Sequence, residues 1–221
     1  MKIIFKILAV MLLISFSVST RAQEHETKVL IETSMGKVKV KLFNETPLHR
    51  DNFLKQIKAH RYEGLLFHRV IKLFMCQAGD INSKNAPADK KLGDGDLGYT
   101  IPAEIIYPMY FHKRGALCAA RESDETNPKK ASSATQFYIV TGDYYTTYDL
   151  EKMEKDKGMK FTDEQRHAYM FEGGVPRLDG DYTVFGEVIS GQEIIDEMQF
   201  VPTDENDRPL KDVVIQKITI L

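Results

Sequence analysis

The chain has 221 residues, 43% of them hydrophobic and 28% charged, the composition of a soluble globular protein large enough to bury a substantial core. A formal net charge of −2 and the lack of any Lys/Arg-rich block exclude nucleic acid as the main partner.

Lys2 and Lys6 precede an apolar run from Ile7 to Val18, and small residues follow at Thr20 and Ala22. This order marks a secretory signal peptide. About a dozen apolar residues are too few for a membrane helix, which needs about 20. The expectation is a signal peptide over 1–22, cut after Ala22, and a domain over 23–221 that is periplasmic or secreted, with no stable membrane insertion after cleavage. An uncleaved anchor is the competing reading. Export would permit a disulfide between the only two cysteines, Cys76 and Cys118. Strand alternation sets Cys76 out of phase with Met75 and Gln77, whereas Cys118 shares phase with Ala120 on the Gln77 side. Two buried free thiols are therefore expected.

Val29–Thr33 and Lys37–Leu42, around Ser34-Met35-Gly36, read as a β-hairpin whose second strand alternates Lys with Val or Leu. Thr46-Pro47 predicts a helix start, with the threonine hydroxyl as cap and Phe53, Leu54 and Ile57 on one face, running to about His60. Strands are expected near 65–70 and 74–77, then an irregular stretch from Asn82 to Thr100. Further strands are expected at 115–121, 136–141 and 182–188, a short helix at 192–199 and a last strand at 213–221. Asp149 to Phe171 is charged and helix-periodic, broken at Gly158, and Thr162-Asp163-Glu164-Gln165 fits a capping box. It predicts an inserted helical hairpin, about 149–171, ending at Gly173-Gly174. As a solvated decoration or as a partner-binding or substrate-flanking arm, the hairpin has two readings. Asp94–Gly98 and Asp204–Asp207 lack the glycine and glutamate of a calcium loop and read as turns, so no metal is expected. His68 reads as structural, and Asn44-Glu45-Thr46 fits a glycosylation sequon.

The most telling segment is Phe67 to Asp80, an apolar run carrying the guanidinium of Arg69 and the carboxamide of Gln77. An arginine among Phe, Met and Leu is costly to bury alone, and would suit a partly apolar ligand bearing carbonyl groups. Parity puts Met75 and Gln77 on one face of their strand, and Gln136, Tyr138 and Val140 on one face of another; Phe137 and Ile139 point to the core.

Phe67-His68-Arg69, Phe74-Met75-Cys76-Gln77 with Gly79-Asp80, Thr135-Gln136-Phe137-Tyr138-Ile139, and Leu178-Asp179-Gly180 through Val184-Phe185-Gly186 resemble the successive motifs of cyclophilins, the peptidyl-prolyl cis-trans isomerases. The resemblance runs over about 28–221 and is closest to an exported, bacterial-type variant. It implies a mainly β fold, a closed eight-stranded antiparallel β-barrel capped by two helices, here with the helical insertion. It implies isomerisation of Xaa-Pro bonds during folding of extracytoplasmic proteins, with proline-containing polypeptides as partners and no cofactor. Arg69 and Gln77 are then the catalytic pair. Phe74, Met75, Tyr138 and Leu178 surround the proline ring, and Ala120 and Arg121 form the edge for the preceding residue, with Gln136 nearby. Tyr182 stands where the family has His, Tyr138 where the best-known members have Phe, and Arg121 in place of Asn. Arg177 replaces a Trp that helps hold cyclosporin, so weak cyclosporin binding is expected; Ala86 sits where many members have Gly. A non-catalytic proline-segment binding module or chaperone on the same scaffold is the alternative.

Overall fold

A computed structural model of the chain describes residues 26–221; the expected signal peptide lies outside the described residues. β1 (Lys28–Thr33) and β2 (Lys37–Leu42) form the predicted hairpin, with Val29 opposite Val40 and Ile31 opposite Val38. These residues point inward while the lysines between them face water. α1 spans Pro47–Lys58, but its cap differs from the expected one. The Thr46 hydroxyl donates back to the Phe43 carbonyl, and the first turn is capped from a distance by Glu104. Its two carboxylate oxygens accept from the N–H groups of Leu48 (3.0 Å) and His49 (2.9 Å). A carboxylate there satisfies two orphan donors and opposes the helix dipole at once, which a hydroxyl cannot do.

The remaining elements are β3 (Arg69–Ile71), β4 (Met75–Ala78), β5 (Thr100–Ile101), β6 (Ala116–Ala119), β7 (Ser132–Ser133), β8 (Phe137–Val140), α2 (Thr147–Lys157), α3 (Asp163–Phe171), β9 (Val184–Ser190), α4 (Gln192–Met198) and β10 (Ile215–Ile220). Eight strands form one antiparallel sheet in the order β10-β1-β2-β9-β6-β8-β4-β3, and β5 pairs with β7 apart from it. The expected mainly β fold with eight antiparallel strands is thus present, but the sheet is not the closed barrel that the resemblance implies. No ladder joins β3 to β10. The backbone N–H of Val70 in β3 instead donates to Asp207 in a turn, and the seam is held by residues preceding β3. Phe67 N–H donates to Val213 O, and Gly64 N–H to Ile215 O, both at 2.8 Å.

The inner face of the curved sheet is packed by Phe53 and Ile57 of α1 and by Ile195 and Met198 of α4, the two expected capping helices. Phe137 and Ile139 point into this core, with Cys76. Met75, Cys118, Tyr138 and Val140 face the other way, in a separate cluster with Leu178 and Val184. The two cysteines are therefore buried free thiols on opposite faces of the sheet.

α2 and α3 are the expected hairpin. Each opens with a complete capping box, Thr146 with Asp149 and Thr162 with Gln165, and Gly158 ends α2 in the left-handed conformation at φ 64°. The hairpin has its own small core, Leu150, Phe161, Ala168 and Tyr169, packed on Phe111. It rejoins the sheet where Gly142 meets Gly174, so closely that a Cβ on Gly142 would stand 2.3 Å from the Gly174 backbone.

The irregular stretch after β4 is shaped by two buried charges. Asp80 accepts from the N–H groups of Asn82 and Gly93. Arg208 donates to the carbonyls of Pro87 (2.7 Å) and Ala86 (3.1 Å) and pairs with Asp212.

His68 is buried beside Arg69, and burial pushes its imidazole down to about 4 despite the attraction of Asp80. The folded chain therefore resists a proton that the unfolded chain accepts near 6.5. The resulting stability is complete above pH 6.5 and is lost as pH falls towards 4, on the order of 3 kcal/mol in all. Denaturant midpoints across pH 4–7 should show this slope, and His68→Gln should flatten it; an equal slope in the variant would refute the assignment.

Candidate active site

Strand register builds the site. Arg69 on β3 stands opposite Gln77 on β4, Gln77 opposite Tyr138 on β8, and Tyr138 opposite Cys118 on β6. These residues sit on one transverse row of the sheet's outer face. A cleft of about 380 Å³ opens over that row. Met75, Tyr138 and Leu178 supply buried apolar walls and Phe74 a half-buried one, with Arg69 and Gln77 also lining the cleft. Ala120, Arg121 and Tyr182 line it too, joined by Arg177.

Of the residues singled out from sequence, only Gln136 lies outside this cleft. It lines an adjoining one of about 270 Å³ that shares Gln77, Ala120 and Arg121. Its amide is oriented by backbone carbonyls: Nε2 donates to Gly93 O (2.8 Å) and Gly95 O (3.0 Å). The Gln136 Oε1 must then face Gln77, whose Nε2 donates to it at 3.0 Å. The irregular loop thus sets the orientation of Gln77 through one intermediary. The edge expected at Ala120 is partly engaged already. Its N–H donates to Gln136 O and its carbonyl accepts from Ser133 N–H.

Three arginines line the cleft and no carboxylate does. Arg69 is 44% exposed at its side chain, with the Asp207 carboxylate 3.5 Å from Nε, a partner that sequence reading missed. The Arg121 guanidinium stacks 4.3 Å over the Tyr182 ring and pairs with Asp124. The Arg177 guanidinium lies 4.3 Å over the Phe74 ring. A larger cavity, about 470 Å³, lies on the other side of Arg69 against Lys90, Lys91, Asp204 and Arg208. Its walls are charged loop residues with Ala88 and Leu92 between them, and it has none of the Phe, Met and Tyr side chains that wall the smaller cleft.

Sequence reading also missed what lies beneath Tyr138. The phenol, which burial raises well above its ordinary pKa, is 3.0 Å from His112 Nε2, and His112 Nδ1 is 2.9 Å from Asp179 Oδ1. His112 is 26 residues from Tyr138 and 67 from Asp179, so no local spacing announces the group. Among the described residues no cluster of three or more His, Cys, Asp or Glu is placed to hold a metal ion.

A family model for the cyclophilin type peptidyl-prolyl cis-trans isomerase matches residues 28–220. A Staphylococcus aureus (strain COL) protein, named as a candidate peptidyl-prolyl cis-trans isomerase, is 30% identical over 205 residues, covering 90% of this chain and 93% of its own. Its counterpart in strain USA300 is 32% identical over 200 residues with the same coverage. Among solved structures, a Cryptosporidium parvum cyclophilin type isomerase superposes with a TM-score of 0.65 at 24% identity, over 89% of this chain and 98% of that one. The structure of that protein in the presence of the dipeptide Ala-Pro matches with a TM-score of 0.62 at 25% identity, over 88% and 98%.

Proposed function

The chain belongs to the cyclophilin-type peptidyl-prolyl cis-trans isomerases, and from that premise we propose that the cleft over β3, β4 and β8 is where it turns Xaa-Pro bonds, in polypeptides outside the cytoplasm. The observation that carries this reading is the pairing of Arg69 with Gln77 across β3 and β4, at the edge of an apolar slot.

Rotation about a peptide bond meets a barrier of about 18–20 kcal/mol because C–N resonance is lost, and an Xaa-Pro bond left alone takes tens to hundreds of seconds. No bond is made or broken to carbon, so the reaction requires no nucleophile, no proton shuttle and no cofactor. At the twisted geometry the proline nitrogen becomes pyramidal and gains a lone pair. A donor aimed at that nitrogen binds the transition state and finds little to bind in the planar amide, which is the differential binding that catalysis needs. Arg69 is that donor, permanently charged and with its guanidinium steadied by Asp207.

The amide of Gln77, oriented by Gln136, holds the substrate carbonyl. Phe74, Met75, Tyr138 and Leu178 form the slot for the proline ring, with Tyr182 at its side. Because Ala120 has both backbone groups engaged within the fold, the residue before proline is held chiefly by the backbone of Arg121. Signal cleavage after Ala22 would deliver this domain to newly exported chains, and fractionation of the native host should find it outside the cytoplasm.

Arg69→Ala should slow isomerisation of an Xaa-Pro peptide by about 10²–10³, as losing one preorganised donor does elsewhere. Exchange NMR reads this directly, and equal rates for variant and parent would defeat the assignment. Cyclosporin should bind weakly, because an arginine stacked on Phe74 stands where the family's tryptophan would contact it. Titration calorimetry giving a Kd of about 10 nM or below would contradict that expectation.

A further inference from the structure

We propose that the inserted hairpin is a working part of the proline cleft, because a buried chain of hydrogen bonds from Tyr169 through Asp179 and His112 holds the ring of Tyr138 in place. The proposal rests on the reading of the cleft given above. It makes Tyr169, Asp179 and His112 positioning residues for the isomerisation, although none of them lines the cleft.

Each link joins buried groups. The hydroxyl of Tyr169, on α3, donates to Asp179 Oδ2 at 2.5 Å. Asp179 Oδ1 accepts from both the backbone N–H and Nδ1 of His112, each at 2.9 Å. His112 Nε2 meets the Tyr138 hydroxyl at 3.0 Å. The Asp179 carboxylate thus accepts three hydrogen bonds, two of them from His112, and the other ring nitrogen of that imidazole is left to meet the Tyr138 hydroxyl. His112 also stacks on the Tyr138 ring at 14° and meets the Tyr182 ring edge-on at 85°. It therefore touches both aromatic rings that give this cleft its altered wall.

The hairpin is seated for this task. A Cβ on Gly174 would collide with His112 O and with the Tyr169 ring, each at 2.5 Å, so only glycine lets the returning chain close over them. A second tie runs from the end of α2, where Lys157 Nζ donates to the carbonyl of Arg177 at 2.7 Å, on the cleft's rim. Tyr169 supplies the donor on Asp179 Oδ2, so displacing α3 leaves that buried oxygen unpaired and loosens the carboxylate whose other oxygen holds His112 beneath Tyr138.

The test is a double-mutant cycle on the full chain, using isomerisation kinetics and thermal melting together. Tyr169→Phe keeps the ring in its packed cluster and removes only the link. It should lower kcat/KM by roughly 5- to 10-fold. Tyr138→Phe removes the other end of the chain, and in that background Tyr169→Phe should change kcat/KM no further while still lowering Tm. Should Tyr169→Phe fail to fold, Asp179→Asn replaces it in the same cycle. An unchanged kcat/KM in the folded single variant, or the same loss in both backgrounds, would overturn the proposal and leave the chain a purely structural device. Arg69→Ala, run alongside, separates the two readings: a loss there without the coupling refutes the relay alone, whereas no loss there refutes the cleft assignment itself.

Discussion

The register of three short strands is the constraint on which the rest of the site depends. β3, β4 and β8 contribute only three or four residues each, yet their pairing sets Arg69, Gln77 and Tyr138 in one row. Side chains alternate strictly between faces, so a slip of one residue would send Gln77 and Tyr138 into the core and bring Cys76 and Phe137 to the cleft. The aromatic packing of Phe137 against Phe53, Tyr62 and Phe67 on the inner face opposes that slip. The hydrophobic core thereby specifies the geometry of the polar site on its reverse side.

Around this row the structure relies on backbone groups to orient polar side chains. Gly93 and Gly95 carbonyls orient Gln136, which orients Gln77. The His112 main-chain N–H shares an Asp179 oxygen with the same residue's ring. The loop carbonyls thus place the two side-chain amides, whereas the imidazole of His112 is held by the buried carboxylate of Asp179. The catalytic chemistry asks for little else, since no proton or electron is transferred.

Much of this was legible in the sequence wherever the cause is local. The Lys/Val alternation of β2, the capping box at Thr162, the break at Gly158 and the opposite facing of Cys76 and Cys118 all follow from periods of two or 3.6 residues and from short-range capping chemistry. Local reasoning failed where the partner is remote. Thr46 looked like the cap of α1, but Glu104 takes the role from another part of the chain. The closed barrel was an expectation carried over from the resemblance, whereas closure depends on whether β3 meets β10 or a turn at Asp207. Gln136 does lie near the site as expected, in an adjoining cleft that shares Gln77, Ala120 and Arg121, but the loop carbonyls that hold its amide are remote in sequence. The group beneath Tyr138 was invisible for the same reason, being assembled from three distant segments.

Arg208 anchors residues 86–90 through their backbone carbonyls. Arg208 grips the carbonyls of Ala86 and Pro87, not their side chains; Asp89 and Lys91 are exposed, while Lys90 turns its ammonium back to the Asn82 carbonyl. The path of the loop is therefore dictated from below while its outward chemistry is left open. Drift in sequence, or deliberate grafting of a short recognition epitope, can proceed there without altering the carbonyls that steer Gln136. The surface beside Arg69 can in this way vary without disturbing the backbone that sets the loop's path.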